Sequence, residues 1–175
     1  MSTYVSNFLD KNEIQYKTVE SMPVTSCVDV SEARNILLSE VGKCIVFSQK
    51  DKQWDTRLYV TLLSGNRFVS IEKLESVVGH KVKAAKIEKK ITKKYNRIKK
   101  GCIAPPLFYG IENVDYLYDS DLLNEKIIDI SSGFENMGYQ IDQQNFSKMS
   151  KVLHMQCSDI AGTPKLYPGA LEPIL

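Results

Sequence analysis

The sequence lacks the patterns on which most enzyme classes depend. No Gly-rich nucleotide-binding loop, no HExxH zinc motif and no GxSxG nucleophile motif occurs in its 175 residues. Histidine is scarce: His80 follows a glycine that ends a predicted helix, and His154 lies in a stretch without clear periodicity. Neither position favours a general base. These absences argue against nucleotide-dependent, zinc-dependent and serine-hydrolase chemistry.

Cysteine is also sparse. Four cysteines are present and no two of them form a CxxC pair, so their spacing predicts neither a zinc site nor a disulfide framework. This usage fits a reducing compartment. The chain has no apolar window of about 18 residues and no signal-peptide pattern at its N-terminus. We therefore predict a cytoplasmic protein that contacts no membrane and needs no metal or other cofactor.

Positive charge is concentrated in one segment. Residues 81–100 carry nine Lys and one Arg against a single Glu, a local net charge of +9, so the rest of this +2 chain carries −7. A compact basic patch on an otherwise acidic protein favours docking of a polyanion such as nucleic acid. The alternative is a solvated lysine-rich helix without a partner. The side chains available for phosphate are Lys86, Lys89, Lys90, Lys93, Lys94, Arg97, Lys99 and Lys100.

The basic segment runs into a stiff loop, Gly101-Cys102-Ile103-Ala104-Pro105-Pro106. Gly101 permits backbone conformations and close approaches that a Cβ prevents. Two consecutive prolines fix φ, remove N–H donors and favour extended geometry before them. Such a loop presents main-chain groups rather than a reactive side chain, which suits a small polar ligand. A nucleophilic pair of Cys102 with a histidine is the alternative, although a small apolar filler is the simpler role for this thiol.

A strand lysine precedes this loop in the chain. The run Lys43-Cys44-Ile45-Val46-Phe47 is β-branched and aromatic and predicts a strand. With a period of two residues, Lys43 shares one face with Ile45 and Phe47. Two interpretations stay open at this point. Either the lysine packs its stem while its amine reaches water, or it lies at the mouth of a pocket and holds an anionic substrate group.

The order of predicted elements indicates a single mixed α/β domain of the α+β type. Helices and strands alternate without the βαβ repeat of a doubly wound fold. Strands at 57–63 and 67–71 flank Ser64-Gly65-Asn66, so a hairpin is predicted there. Such signals favour one curved, mostly antiparallel or barrel-like sheet flanked by helices. We place this domain at residues 1–150 and an irregular C-terminal tail at 151–175.

Several features in order resemble the YbaK/prolyl-tRNA synthetase-associated domain family. They are the strand Gly42–Phe47, the segment Leu58–Gly79, the GxxxP loop Gly101–Pro105 and the turn Asp119–Leu123. Their combination, over about residues 4–150, is more specific than any one of them. Members of this family are free-standing aminoacyl-tRNA deacylases and the editing domain inserted in bacterial prolyl-tRNA synthetases.

The resemblance implies a fold, a reaction and a set of site residues. The reaction is hydrolysis of the ester that joins a wrong amino acid to the 3′-terminal adenosine of tRNA. Lys43 would hold the terminal nucleotide, and main-chain groups of Gly101, Cys102, Ile103, Ala104 and Pro105 would lie near the ester and the ribose. The substrate would assist through its 2′-hydroxyl or, in cysteinyl esters, its thiol. A family loop that lines the amino-acid pocket matches Ser131, Ser132 and Gly133.

This reaction agrees with the scarcity of side-chain bases, because positioning and electrostatic stabilisation alone can lower a barrier by several kcal/mol. We therefore predict a free-standing deacylase for mischarged tRNA-Pro or a similar small-amino-acid error. It would act alone or beside an aminoacyl-tRNA synthetase, with residues 81–100 on the acceptor-stem phosphates. The alternative, from a different class, is a non-catalytic tRNA- or RNA-binding module with the same fold.

Overall fold

The structure is a computed structural model and describes residues 2–50, 57–85 and 101–162. Within these ranges four helices and eight strands form one mixed α+β domain, as the sequence predicts. The helices are α1 (Tyr4–Lys11), α2 (Cys27–Arg34), α3 (Ile71–Val78) and α4 (Gln143–Val152). The strands are β1 (Lys17–Glu20), β2 (Gly42–Gln49), β3 (Leu58–Ser64), β4 (Val82–Ala84), β5 (Val114–Asp119), β6 (Ile127–Ser131), β7 (Met137–Asp142) and β8 (Gln156–Ser158).

The strands form two sheets. A three-stranded antiparallel sheet has the order β1-β7-β6, and a five-stranded sheet has the order β4-β2-β3-β5-β8. In the larger sheet β2 pairs antiparallel with β3 and β4, whereas β3–β5 and β5–β8 are parallel. A single parallel bridge between Val41 and Asp129 links the two sheets. Strand pairing among the described residues thus gives two open sheets and no closed barrel.

Local sequence explains where the helices begin and end. Thr3 caps α1 with a capping box, and the helix buries Val5, Phe8 and Leu9 on one side. Burial of each side chain of this size contributes about 1.5–3 kcal/mol. Ser70 caps α3, and Gly79 ends it in the left-handed conformation with φ 74°.

The core has two parts, one on each face of the larger sheet. The main cluster lies between the two sheets and includes Val46, with Cys44 packed against it. The second cluster includes Phe47 and Leu74 of α3, with Ile45 packed against it. This separation confirms the two-residue period predicted for β2.

Two predictions about secondary structure are wrong. Residues 67–71 are not a strand of a hairpin with 57–63. β3 pairs instead with β2 on one edge and with β5 on the other, which leaves no edge of β3 for residues 67–71. The chain is also not irregular throughout 151–158, since α4 extends to Val152 and β8 pairs with β5. Residues 163–175 lie outside the described residues. The division into a domain at 1–150 and a tail stays a prediction.

No helix within the described ranges is long and apolar enough to span a bilayer.

Candidate functional site

A small cavity lies beside one edge of β2. β3 pairs along one edge of β2, but β4 covers only Phe47–Gln49 on the other, so the ladders among described residues leave Gly42–Ile45 uncovered there. The resulting cavity of about 140 Å³ is called the edge cavity. It is lined by Val24, Thr25, Ser26, Cys27, Val30, Arg34, Val41, Gly42, Lys43, Cys44, Gly101, Cys102, Ile103, Asp129, Ser131 and Phe134.

The GxxxP loop divides between the edge cavity and the core. Gly101, Cys102 and Ile103 line the cavity, whereas Ala104 and Pro105 are buried behind it, where a 3₁₀ turn over Pro105–Phe108 begins. Gly101 has φ 87°, and a Cβ at this position would lie 2.9 Å from the carbonyl oxygen of Thr25. Glycine is therefore required here both by backbone conformation and by close approach. Of the five loop residues predicted for the site, three line it and two anchor it.

Lys43 is one of the residues that line the edge cavity, and its amine contacts the β3–α3 connection. The amine donates a hydrogen bond to the carbonyl oxygen of Arg67 and lies 4.8 Å from the centroid of the Phe68 ring. This is a cation–π contact in addition to a hydrogen bond. The Arg67 guanidinium is held in turn by the carboxylate of Asp121 and the carbonyl of Gly162. The choice between a packed lysine and a lysine that holds an anionic substrate group stays a prediction.

A buried ion pair, which the sequence patterns described above do not predict, forms one wall of the edge cavity. The side chains of Arg34 and Asp129 are only 3% and 2% exposed and contact each other directly. The Gln140 amide also donates to Asp129, at 3.3 Å. Burial raises the pKa of the Asp129 carboxyl, and the bonds from Arg34 and Gln140 offset part of that rise. An aspartate between Ile128 and Ile130 of a buried strand was the available signal.

Glycine makes room for this ion pair. A Cβ on Gly138 of β7 would clash with the Arg34 guanidinium and lie 2.7 Å from a carboxylate oxygen of Asp129. The Nε of Arg34 is buried and has no hydrogen-bond partner among the described residues. An unsatisfied buried donor is uncommon and is a group that a ligand can satisfy.

Only one of the three residues predicted for the amino-acid pocket lines the edge cavity. Ser131 does so. Ser132 is buried, and its hydroxyl donates to the carbonyl of Met137 at 2.8 Å and accepts from the N–H of Phe134 at 3.2 Å. Gly133 has φ 95° and forms the turn. Ser132 and Gly133 therefore shape a loop that brings the Phe134 ring to the cavity.

Two thiols of the edge cavity, those of Cys27 and Cys44, are poor nucleophiles. Burial raises the pKa of both Cys27 and Cys44, and nearby Lys43 lowers the pKa of Cys27 by a smaller amount. Both thiols therefore stay protonated near neutral pH. Cys102 is buried at the cavity wall, in agreement with a packing role. The lining offers two cations and a single carboxylate, a local charge of +1.

The basic segment falls mostly on residues that the structure does not describe. All eight predicted phosphate contacts, from Lys86 to Lys100, lie outside the described residues. The residues on either side of 86–100 are described: the N–H of Ala85 donates to the carbonyl of Val46 in β2 at 2.9 Å, and Gly101 lines the edge cavity. The C-terminal end of the basic segment therefore adjoins a residue of the edge cavity.

A larger cavity, called the end cavity, has a volume of about 490 Å³ and lies at the other end of β3. No residue predicted for the site lines it, although both histidines do. It is lined by Arg57, Tyr59, Val77, Val78, His80, Tyr109, Gly110, Ile111, Val114, Asp115, Tyr116, Leu117, Val152, Leu153, His154 and Gln156. Across the part of the chain that the structure describes, no cluster of three or more His, Cys, Asp or Glu side chains could hold a metal ion.

The fold is similar to several solved structures. A hypothetical protein is 14% identical, with a TM-score of 0.76 over 91% of this chain and 99% of its own. A "putative trans-editing enzyme for prolyl tRNA synthetase" is 17% identical, with a TM-score of 0.73 over 91% of this chain and 96% of its own. A "putative signal transduction protein" from Marinobacter aquaeolei VT8 is 11% identical, with a TM-score of 0.66 over 93% of this chain and 31% of its own.

No protein-family model matches the sequence, and no curated protein matches it. At these identities the structural similarity shows the fold alone. It confirms the mixed α+β architecture, which this chain shares with the trans-editing protein.

Proposed function

We propose that the chain is an aminoacyl-tRNA deacylase of the YbaK/prolyl-tRNA synthetase-associated kind, which hydrolyses the ester of mischarged tRNA at the edge cavity. One observation carries the proposal. Lys43, Gly101, Cys102, Ile103 and Ser131 come from three separate parts of the chain and line one cavity of about 140 Å³. The shared fold with a trans-editing protein supports the same conclusion.

The size and charge of the edge cavity suit the proposed substrate. Pockets for drug-sized ligands occupy about 300–1,000 Å³, so a cavity of about 140 Å³ favours a small aminoacyl group. The lining carries a local charge of +1, and one of its cations, Lys43, would suit the terminal phosphate of the tRNA 3′ end.

Catalysis would depend on positioning and on main-chain dipoles. Cys102 and Ile103 each carry a main-chain N–H, and such groups stabilise the oxyanion that forms when an ester is attacked. The thiols of Cys27 and Cys44 are poor nucleophiles, because burial raises the pKa of both. The attacking water would be activated by the substrate's own 2′-hydroxyl.

The basic segment would hold the acceptor stem. It carries nine Lys and one Arg between residues 81 and 100, and Gly101, which follows it directly, lines the edge cavity. Contacts to phosphate bind without reading the base sequence, so this segment would position the 3′ end of tRNA while the cavity selects the amino acid. Because such tRNA is present in the cytoplasm, the proposal also places the protein there.

Deacylation assays test the proposal. Purified protein is mixed with tRNAs charged with Ala, Cys, Ser, Thr or Pro, and loss of the ester is followed with time. We expect selective hydrolysis, and a decrease of about 10²-fold or more in Lys43→Ala if the amine stabilises the reacting complex. Lys17→Ala, an exposed lysine on β1, is the matched control and should retain full activity. Intact esters across the panel would contradict the proposal.

A non-catalytic tRNA-binding module is the second candidate function. The observation in its favour is that the Lys43 amine bonds to Arg67 and contacts the Phe68 ring, so that it is already engaged inside the protein. Salt-sensitive tRNA binding without turnover would support this candidate. Turnover that Lys43→Ala abolishes would eliminate it.

A further inference from the structure

The end cavity is built from separate parts of the chain that converge on one space. His80 follows α3, Arg57 precedes β3, Tyr59 belongs to β3, Asp115 belongs to β5, and His154 follows α4. The sequence has only two histidines, and both line this cavity. Its volume of about 490 Å³ falls within the range of about 300–1,000 Å³ that is typical of small-molecule pockets.

A buried hydroxyl at the end cavity has no partner. Tyr59 is 2% exposed, and its hydroxyl makes no hydrogen bond with any described residue. Tyr139 is equally buried, at 1%, but its hydroxyl pairs with that of Thr3 at 2.9 Å. Buried polar groups are nearly always satisfied, so each exception needs an explanation. A ligand that reaches the Tyr59 hydroxyl would supply the missing hydrogen bond.

Tyr59 lies close to three polar residues of the same cavity lining. The centroid of its ring lies 6.5 Å from that of the His80 ring. Burial raises the pKa of the Tyr59 hydroxyl, nearby Asp115 raises it further, and Arg57 lowers it. These three neighbours line the end cavity together with Tyr59. A ligand that bonds to the Tyr59 hydroxyl would therefore also meet these polar groups.

The polar groups of the rim favour an uncharged, planar ligand. The lining has one cation and one carboxylate, and these form an ion pair with each other, Arg57 to Asp115 at 3.3 Å. No excess charge is left among the lining residues to hold a phosphate or a carboxylate. The remaining polar groups, which belong to Tyr59, Gln156 and the two histidines, can each donate or accept a hydrogen bond.

The other lining groups are aromatic or aliphatic. Tyr109 and Tyr116 contribute aromatic side chains to the lining, and Val77, Ile111 and Leu117 contribute apolar ones. A flat ligand with donors and acceptors along its edge matches both sets of groups. We infer that the end cavity is a second binding site, which takes the nucleobase of a nucleoside and bonds its edge to the Tyr59 hydroxyl. This inference does not depend on the deacylase proposal, since it concerns a different cavity and requires no turnover.

Amide NMR titration with adenosine, guanosine, cytidine and uridine tests the inference. At least one nucleoside should shift the amides of Tyr59, His80 and Leu117, and Tyr59→Phe should weaken its binding about 3- to 10-fold by removing one hydrogen bond. A single-stranded RNA tetramer of the best-binding base distinguishes the source. Tighter binding of the tetramer identifies an unpaired RNA base as the ligand, whereas preference for the nucleoside identifies a small metabolite.

A stability comparison serves as the control. Without ligand, Tyr59→Phe should leave the melting temperature unchanged or slightly raised, because the lost hydroxyl has no partner. Tyr139→Phe should lower the melting temperature, because it breaks the bond to Thr3. Val77→Trp, at a partly exposed lining position, should block binding of the nucleoside. Absence of shifts with all four nucleosides, or unchanged affinity in Tyr59→Phe, would overturn the inference.

Discussion

Each of the two cavities contains an Arg–Asp ion pair, and the two pairs differ in burial. In the edge cavity the side chains of Arg34 and Asp129 are 3% and 2% exposed. In the end cavity those of Arg57 and Asp115 are 51% and 43% exposed. A buried pair is rigid and costly to break, whereas an exposed pair contributes little to stability and can exchange its partners. The wall of the edge cavity is thus more sensitive to the loss of one charge than the lining of the end cavity.

The largest expected effect is the difference in stability lost when each ion pair loses its arginine. Arg34→Met leaves the Asp129 carboxylate buried without its cation, which should lower the free energy of unfolding by about 3–5 kcal/mol. Arg57→Met removes a half-exposed partner and should cost no more than about 1 kcal/mol. Urea unfolding of both variants measures the difference.

The double variant Arg34→Met/Asp129→Leu sharpens this test. It removes both charges, so it should recover a large part of the stability that the single variant loses. Equal destabilisation by Arg34→Met and Arg57→Met would contradict the contrast between the cavities.

A smaller loss of stability is expected when one glycine of each cavity is replaced by alanine, and the loss should differ between the two positions. Gly101 and Gly110 have φ 87° and 75°, so alanine is strained at both positions. At Gly101 a Cβ would also lie 2.9 Å from the Thr25 carbonyl oxygen, whereas at Gly110 nothing lies within 4 Å. Gly110→Ala should therefore cost about 1–2 kcal/mol from φ alone, and Gly101→Ala should cost more. Thermal unfolding of the two variants checks the order, and a larger loss in Gly110→Ala would contradict it.

The smallest expected effect is a dependence on pH from the edge cavity. Burial raises the folded-state pKa of Asp129 above its unfolded value. The contribution of this group is then fully present below the unfolded pKa of about 3.9 and declines as pH rises through the folded pKa. The free energy of unfolding, measured from pH 4 to pH 7, should fall relative to that of Asp129→Asn. A relative rise over the same window would show that the folded-state pKa is lowered instead.

The residues of the two cavities also differ in how far they could be predicted from the sequence. Lys43 and the Gly101–Pro105 loop can be predicted from neighbouring residues, because one lies in a strand of period two and the other is a glycine followed by paired prolines. The Arg34–Asp129 pair cannot be predicted in this way, because its partners lie 95 residues apart and meet only when β6 packs near α2. The same holds for Tyr59 and the two histidines of the end cavity.

Fold prediction succeeded for local features and failed for pairing. The end of a helix at Gly79 and the two-residue alternation of β2 follow from neighbouring residues, and the structure has both. The pairing of β3 with β5 in parallel, and of β8 with β5, joins segments that are far apart in the chain. No short-range signal specifies such a partner. The turn residues Ser64-Gly65-Asn66 therefore predict a hairpin that the structure does not have.

The most direct test of the deacylase proposal asks which cavity receives the aminoacyl end of tRNA. Amide NMR shifts are measured with 3′-alanylamino-3′-deoxyadenosine, a stable amide in place of the ester, and with 3′-amino-3′-deoxyadenosine, which lacks the alanyl group. The account predicts shifts at Gly42, Cys44, Gly101–Ile103 and Ser131 that require the alanyl group, while shifts around Tyr59 are common to both compounds. Seryl and cysteinyl analogues extend the series to other small residues. Unperturbed edge-cavity amides with every analogue, or identical shifts there with and without the aminoacyl group, would contradict it.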